Sequence, residues 1–306
     1  MTRAAGIDCG TNTIRLLVAD LDPASGDERE LVREMRVVRL GQDVDRTGRL
    51  ADEALQRVFA AIEEYARVID RHGAEAVRFC ATSAARDAKN ADALLDGVRE
   101  RLGVDAEVVT GNQEATLTYD GATRSLGPEV AAPCLVVDIG GGSTELILGN
   151  GHGMVQVAQS LDIGSVRMTE RRMPSDPPAS AEVAAAVADV DAALDGCAVP
   201  VEQAATVVGV AGTVTTVAAM VLDLPGYQRD RVHHAVLPVE DVQRATADLL
   251  AMTVGQRRAL PFMHPGRADV IGGGALILDR VLRRTRVSSL LVSETDILDG
   301  IAWSVA

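Results

Sequence analysis

Two short segments of this chain repeat one pattern 130 residues apart. The first, starting at Gly6, reads GIDCGTNTIRLLVA; the second, starting at Val136, reads VVDIGGGSTELIL. With Asp8 set on Asp138, Gly10 falls on Gly140, Thr13 on Ser143, Arg15 on Glu145 and Leu16 on Leu146. Each segment is an apolar run, an Asp-x-Gly, a small polar turn and a second apolar run. The pattern predicts a strand–turn–strand in both places, and so two similar units that each open on such a hairpin. The glycines permit positive φ and the close approach of another group.

Successive N–H groups in a tight turn form a nest for phosphate. Gly10, Thr11, Asn12 and Thr13 in the first turn, and Gly140, Gly141, Gly142 and Ser143 in the second, are candidates for that role. The hydroxyls of Thr11, Thr13, Ser143 and Thr144 add donors. Asp8 and Asp138 are acceptors, suited to a divalent cation or its waters rather than to phosphate. Two such turns facing each other across a cleft would hold an Mg²⁺–phosphate complex between two lobes. Neither turn is a P-loop. Neither is a dinucleotide fingerprint, because a strand rather than a helix follows the glycines.

A third glycine site lies at residues 207–220, VVGVAGTVTTVAAM. A strand there ends in Gly209, Gly212 and Thr213 and enters a helix, whose first turn presents free N–H groups and a favourable dipole to an anion. Arg86 and Lys89 lie in TSAARDAKN, straight after a strand end. A guanidinium grips phosphate bidentately, whereas an ammonium acts as a point charge. Arg267, after Pro265-Gly266, is a further contact candidate. Hydrolysis of a phosphoanhydride needs a positioned, deprotonated water and neutralisation of the phosphoryl charge. Glu114 and Glu145 are the candidate bases, and the residues alone do not rank them.

Composition narrows the classes. Aromatics are 2%, too few for a tract that stacks single-stranded nucleic acid. The formal net charge of −14 argues against general affinity for DNA backbones or anionic membranes. An anionic substrate would need a local cluster of cations, N–H groups or metal. The four cysteines form no C-x-x-C pair and read as buried thiols in a reducing compartment. The start lacks a signal-peptide pattern, and no stretch reaches the length of a membrane span. A cytoplasmic protein is expected, without nucleic-acid or membrane partners.

The coarse reading alternates strands and helices, which predicts an α/β fold in two lobes. Strands are expected at 4–9, 14–20, 31–40, 76–81, 105–109, 154–159, 206–210 and 287–292, with a polar turn at 23–28. Helices are expected at 52–71, 91–102, from about 113, at 181–194, 238–252 and 296–303. Residues 128–133 read as a seam between lobes.

Together these motifs resemble the exopolyphosphatase/guanosine pentaphosphate phosphohydrolase family. The pieces are GIDCGTNTIRLLVAD, ATSAARDAKN, TGNQEA, VVDIGGGSTELILG, SLDIGSVRMTE, GVAGTVTTVAAM and VSETDILDGIAW, spanning residues 6–303. The resemblance implies a two-lobed actin-like ATPase (ribonuclease H-like) fold with an interdomain cleft, in the sugar kinase–Hsp70–actin superfamily. Lobes of 1–126 and 127–294 are expected, with a final helix at 295–306 packing back on the first. The implied activity is Mg²⁺-dependent release of terminal phosphate from inorganic polyphosphate, with Mn²⁺ as a second candidate ion. The alternative substrate is guanosine pentaphosphate; a phosphate or nucleotide sensor without turnover is the reading of a different class.

By resemblance the catalytic glutamate falls on Glu114, and the cation-associated acids on Asp138 and Glu145, with Asp8 beside them. Phosphate-loop positions fall on Asp8, Gly10, Asn12, Gly140 to Ser143 and Gly212-Thr213, and Arg86 matches a family arginine. Two departures stand out. Thr11 and Thr13 replace serines, keeping the hydroxyls. Gln113 replaces the first of two glutamates, a change expected to alter rate or pH dependence. The chain also resembles the short form of the family, which lacks the C-terminal helical domains of longer members, and this suggests short-chain polyphosphate. The family suggests a homodimer, which no residue in the sequence demonstrates.

Overall fold

The structure, a computed structural model, describes residues 1–127 and 130–306. The expected seam at 128–133 lies partly outside them. The described residues divide into two compact units, Met1–Gly121 with Ile297–Ala306, and Ala122–Asp296.

The first unit is built on β1 (Thr2–Cys9), β2 (Thr13–Asp22), β3 (Asp27–Val37), β4 (Ala76–Ala81) and β5 (Ala106–Val108), in the order β3-β2-β1-β4-β5. Its helices include α1 (Asp52–His72), α2 (Ser83–Asp87), α3 (Ala91–Leu102) and α4, which starts at Gly111 and runs to Arg124. In α1, Leu55, Val58, Phe59, Ile62, Tyr65 and Ile69 recur at helical spacing and are buried in the same core as Ile7, Ile14 and Leu16 of the sheet. Asp52 and Glu53 in its first turn, and Arg71 and His72 in its last, oppose the helix dipole. Gly73, at φ 63°, ends it in a left-handed cap.

The second unit repeats this design. Its strands are β6 (Cys134–Ile139), β7 (Thr144–Gly149), β8 (Val155–Leu161), β9 (Thr206–Val210), β10 (Val236–Pro238) and β11 (Ser289–Val292). Read from β8, the sheet order is β8-β7-β6-β9-β11-β10. The first five places match β3-β2-β1-β4-β5 in order and in parallel or antiparallel sense. The internal repeat in the sequence is thus a repeat of whole sheets. The helices include α5 (Ser165–Arg172), α6 (Ser180–Asp195), α7 (Ala211–Val221), α8 (Val239–Ala251) and α9 (Ile271–Leu282). Their apolar faces form one core with Leu135, Val137, Leu146 and Val207.

The closing helix, α10 (Ile297–Trp303), belongs to the first unit. Leu298, Ala302 and Trp303 pack with Ala4, Leu17, Ala19 and Leu21, and the Trp303 indole N–H donates to Glu28 Oε2 at 3.0 Å.

Some expected boundaries moved for identifiable reasons. β3 begins at Asp27, where a turn was expected, because pairing with β2 and not apolar periodicity decides its start. It ends at Val37 because the N–H groups of Val38 and Arg39 both donate to Asn12 O, at 3.0 and 2.9 Å. That bond peels the chain off the ladder and lays it on the first turn. The polar stretch at 82–90 contains α2, and the short β10, which had no periodic signal, pairs with β11.

Candidate active site

Both hairpin turns close with the same hydrogen bond. Gly10 N–H donates to Thr13 O at 2.9 Å, and Gly140 N–H to Ser143 O at 3.0 Å. In the second turn the carbonyls are committed elsewhere. Gly140 O accepts from Ser165 N, Gly141 O from Val166 N and Arg167 N, and Gly142 O from Arg167 Nε at 2.7 Å. The carbonyls therefore face the start of α5, whose own orphan donors they satisfy. Gly164 lies so close that a Cβ there would stand 2.5 Å from Gly141 O. The N–H groups of Gly141 and Gly142 meet no acceptor among the described residues. They remain available to an anion.

In the first turn the Thr11 hydroxyl is buried and has no partner among the described residues. A buried donor left unmade is costly, so this atom points to a ligand. Thr11 is held by Gly41, whose N–H donates to Thr11 O at 2.8 Å. Asp8, also buried, is gripped by Arg15, whose Nε and Nη2 both donate to Asp8 Oδ2, at 2.9 and 2.7 Å. The two residues are directly opposite in the β1–β2 ladder.

At the equivalent places of the second hairpin, Asp138 is opposite Glu145, and both are buried. Directly opposed side chains share a face with Cβ atoms about 5 Å apart, where like charges repel. The Ser160 hydroxyl on β8 donates to Glu145 Oε1 at 2.7 Å, continuing the row. A hard cation is the natural complement to two such carboxylates. Mg²⁺ fits this donor set: it takes oxygen ligands and is commonly held by one or two carboxylates plus substrate phosphate and water. The set is no larger, since no group of three or more His, Cys, Asp or Glu among the described residues forms a metal cage.

Glu114 sits in the first turn of α4 and is buried. Arg86, carried by α2, donates from Nη1 to Glu114 Oε2 at 2.8 Å and to Val109 O at 2.9 Å. Burial pushes the Glu114 carboxyl up to about 7; Arg86 opposes that rise by charge and hydrogen bond, and the Asp8 charge adds to it. Such a carboxylate is poised to take a proton near neutral pH. Gln113 points away. Its Oε1 accepts from Thr110 N at 2.9 Å while Gln113 N donates to Thr110 Oγ1 at 3.3 Å, a capping box at the start of α4. The Gln113 side chain is thus committed to the helix end.

In the second unit, α7 opens on Ala211 at φ 64°, a left-handed conformation costly for alanine, followed by Gly212 and Thr213. The Arg267 guanidinium lies against Gly212, where a Cβ would meet it at 2.4 Å. Arg267 Nη1 donates to Thr216 Oγ1 at 3.3 Å, and that hydroxyl donates to Gly212 O at 2.6 Å. Lys89 is exposed, and its side chain makes no ion pair among the described residues.

The structure thus brings Asp8, Arg86 and Glu114 together in the first unit. In the second it pairs Asp138 with Glu145, and Arg267 with Gly212. The sequence reading missed Arg15, Ser160, Gly164 and Arg167 as supporting residues. Arg15 had a signal, since it aligns with Glu145 in the repeat; Gly164 and Arg167 lay in a quoted motif without an assigned role.

The sequence model of the Ppx/GppA phosphatase family matches residues 18–306. The chain belongs to this family. It is 47% identical to exopolyphosphatase 2 of Mycobacterium tuberculosis over 319 aligned residues, covering 100% of this chain and 99% of that protein. Among solved structures, an exopolyphosphatase-like protein superposes with a TM-score of 0.93 at 44% identity, covering 98% of this chain and 97% of the other. The Aquifex aeolicus Ppx/GppA family member gives 0.83 at 32% identity, covering 99% and 97%. The Ppx/GppA α/β fold is related to that of actin, Hsp70 and the sugar kinases. No helix among the described residues is long and apolar enough to cross a membrane.

Proposed function

We propose that this member of the Ppx/GppA phosphatase family is an exopolyphosphatase that releases terminal orthophosphate from linear polyphosphate. The observation that carries the reading is Glu114, a buried carboxylate pushed up to about 7 and aimed by Arg86 at 2.8 Å. The likeness to proteins named exopolyphosphatase supports the substrate class.

Glu114 orients a water and takes its proton as the oxygen attacks the terminal phosphorus. The bond to the bridging oxygen breaks, and its electron pair leaves with the shortened chain. In the second unit, the free N–H groups of Gly141 and Gly142 and the first turn of α7 with Arg267 are the groups that would hold phosphate oxygens and meet the developing charge; in the first unit, the Thr11 hydroxyl is the corresponding donor. Asp138 and Glu145 are the residues that would hold Mg²⁺, or Mn²⁺ in its place. The ion supplies neutralisation of phosphate charge. No covalent intermediate is needed.

The test is phosphate release by the purified protein with Mg²⁺ from tripolyphosphate, long-chain polyphosphate, guanosine pentaphosphate and ATP. Release from polyphosphate, cut sharply by Glu114→Gln, is the expected result. Preference for guanosine pentaphosphate would move the substrate to that nucleotide. Binding without release from any of the four would overturn the enzymatic reading.

A further inference from the structure

β9 and β11 run parallel in the second sheet. The C-terminal end of β9 leads into the first turn of α7, with Gly212 and Thr213. The N-terminal ends of the two strands instead open onto a cavity of about 600 Å³. Strand alternation explains the hollow. Val207 of β9 and Leu290 and Val292 of β11 point into the core shared with the helices. Thr206, Ser289 and Leu291 lie on the opposite face and line the cavity, with Val236 of β10, the ladder partner of Leu291. Parallel strands are usually covered on both faces. Here Val236 stays 64% exposed in the cavity wall.

The polar groups of that wall favour one sign of ligand. Arg286, Ser288, Ser289 and Thr206 all line it, and none of their side chains has a hydrogen bond or ion pair among the described residues. No carboxylate among the described residues lines it, in a chain with 44 acidic side chains against 30 Lys and Arg. Arg284, two residues earlier, shows the contrast: it donates to Asp191 and Asp195, each at 2.7 Å. His234 also lines the cavity, and its backbone is left-handed at φ 61°. It is braced there from three sides. Its N–H donates to Val292 O at 2.7 Å, its ring stacks on His233 with centroids 3.8 Å apart, and Nε2 shares a hydrogen bond with Ser125 Oγ at 3.2 Å. Backbone strain held in place by its surroundings collects at ligand sites.

We propose that this cavity binds a small organic anion, a carboxylate or phosphate ester carried on an apolar body. The Arg286 guanidinium presents a planar fork of donors that matches two anionic oxygens. The hydroxyls of Ser288, Ser289 and Thr206 supply further donors. Leu126, Val236 and Leu291 face the apolar part. The volume lies within the range of about 300–1,000 Å³ usual for small-molecule sites. The site is distinct from the α7 turn, since the 5 residues of β9 separate them by about 16 Å. It therefore does not depend on the reaction assigned to Glu114.

The test is methyl NMR of the full chain, titrated with phenylpropionate, phenylphosphonate and the uncharged phenylpropanol, each to about 10 mM, a range suited to ligands of this size. The expected result is saturable shifts of the Leu126, Val236 and Leu291 methyls with at least one anion, bound several-fold more tightly than the alcohol. Whichever anion binds more tightly distinguishes a carboxylate from a phosphate-type ligand. Arg286→Gln, at an exposed position, should weaken anion binding about tenfold and leave the alcohol and the melting temperature unchanged. No saturable shift with either anion overturns the proposal. Equal affinity for the alcohol, or anion binding indifferent to Arg286→Gln, overturns it as well. Shifts centred on the Val210 and Val214 methyls, beside the α7 turn, would place the anion at the phosphate groups and overturn the separate site.

Discussion

Asp138 and Glu145 stand directly opposite each other on β6 and β7, at the places where the first unit sets Asp8 against Arg15. The same hairpin is used twice with opposite electrostatics. In the first, the acid is neutralised by a guanidinium of the chain, at 2.7 Å. In the second, two carboxylates share one face. Two carboxylates on one face suit a cation as a further ligand, and Asp8 has a counter-charge in Arg15.

That difference predicts the response to metal. Mg²⁺ should stabilise the protein by about 2.7 kcal/mol at a hundredfold excess over its Kd. Asp138→Asn and Glu145→Gln should each lose this gain, while Asp8→Asn should keep most of it. Thermal melts with and without Mg²⁺ measure it directly. Equal Mg²⁺ stabilisation of wild type and both second-hairpin variants would remove these residues from the cation site.

Glu114→Gln should cut turnover by about 10²-fold or more while the dissociation constant for a non-hydrolysed polyphosphate changes little. Single-turnover phosphate release and a separate binding titration distinguish the two. A parallel loss of affinity would assign Glu114 to ground-state binding.

The pH profile should carry the same residue. With the Glu114 carboxyl pushed up to about 7, kcat/KM should rise with pH through neutrality as the base deprotonates. Arg86 lowers that value, so Arg86→Ala should move the rising limb to higher pH. The stability effect has the opposite sense. A folded-state value raised above the usual 4.5 favours the protonated form on folding, so the contribution is full below 4.5 and is lost as pH rises towards about 7. Glu114→Gln should flatten this window in urea titrations; an unaltered slope would show that other groups set it.

Gly164→Ala should act on the phosphate turn from outside it. The added methyl would stand 2.5 Å from Gly141 O and 2.6 Å from Gly142 C, so α5 or the turn must shift. A loss of about 1–3 kcal/mol in stability is expected. Phosphate release should fall further than the unfolded fraction explains. Normal activity at temperatures well below the melt would mean that the position of the turn is not critical.

Much of this protein is determined by its sequence alone. The repeat around Asp8 and Asp138 implies two similar units, because an apolar run, an Asp-x-Gly and a second apolar run fix local backbone geometry. α1, α3, β4 and β9 follow from periodicity and from stops such as Gly73, which act within a few residues. Family motifs singled out Glu114, though residue chemistry alone left it level with Glu145. Tertiary structure decided what depends on distant partners. The capping role of Gln113, the grip of Arg15 on Asp8, the start and end of β3, and the way Gly164 and Arg167 hold the second turn arise from ladder register and close approach. Periodicity carries no record of which strands become neighbours, so the opposition of Asp138 to Glu145 becomes visible only when the sheet is assembled.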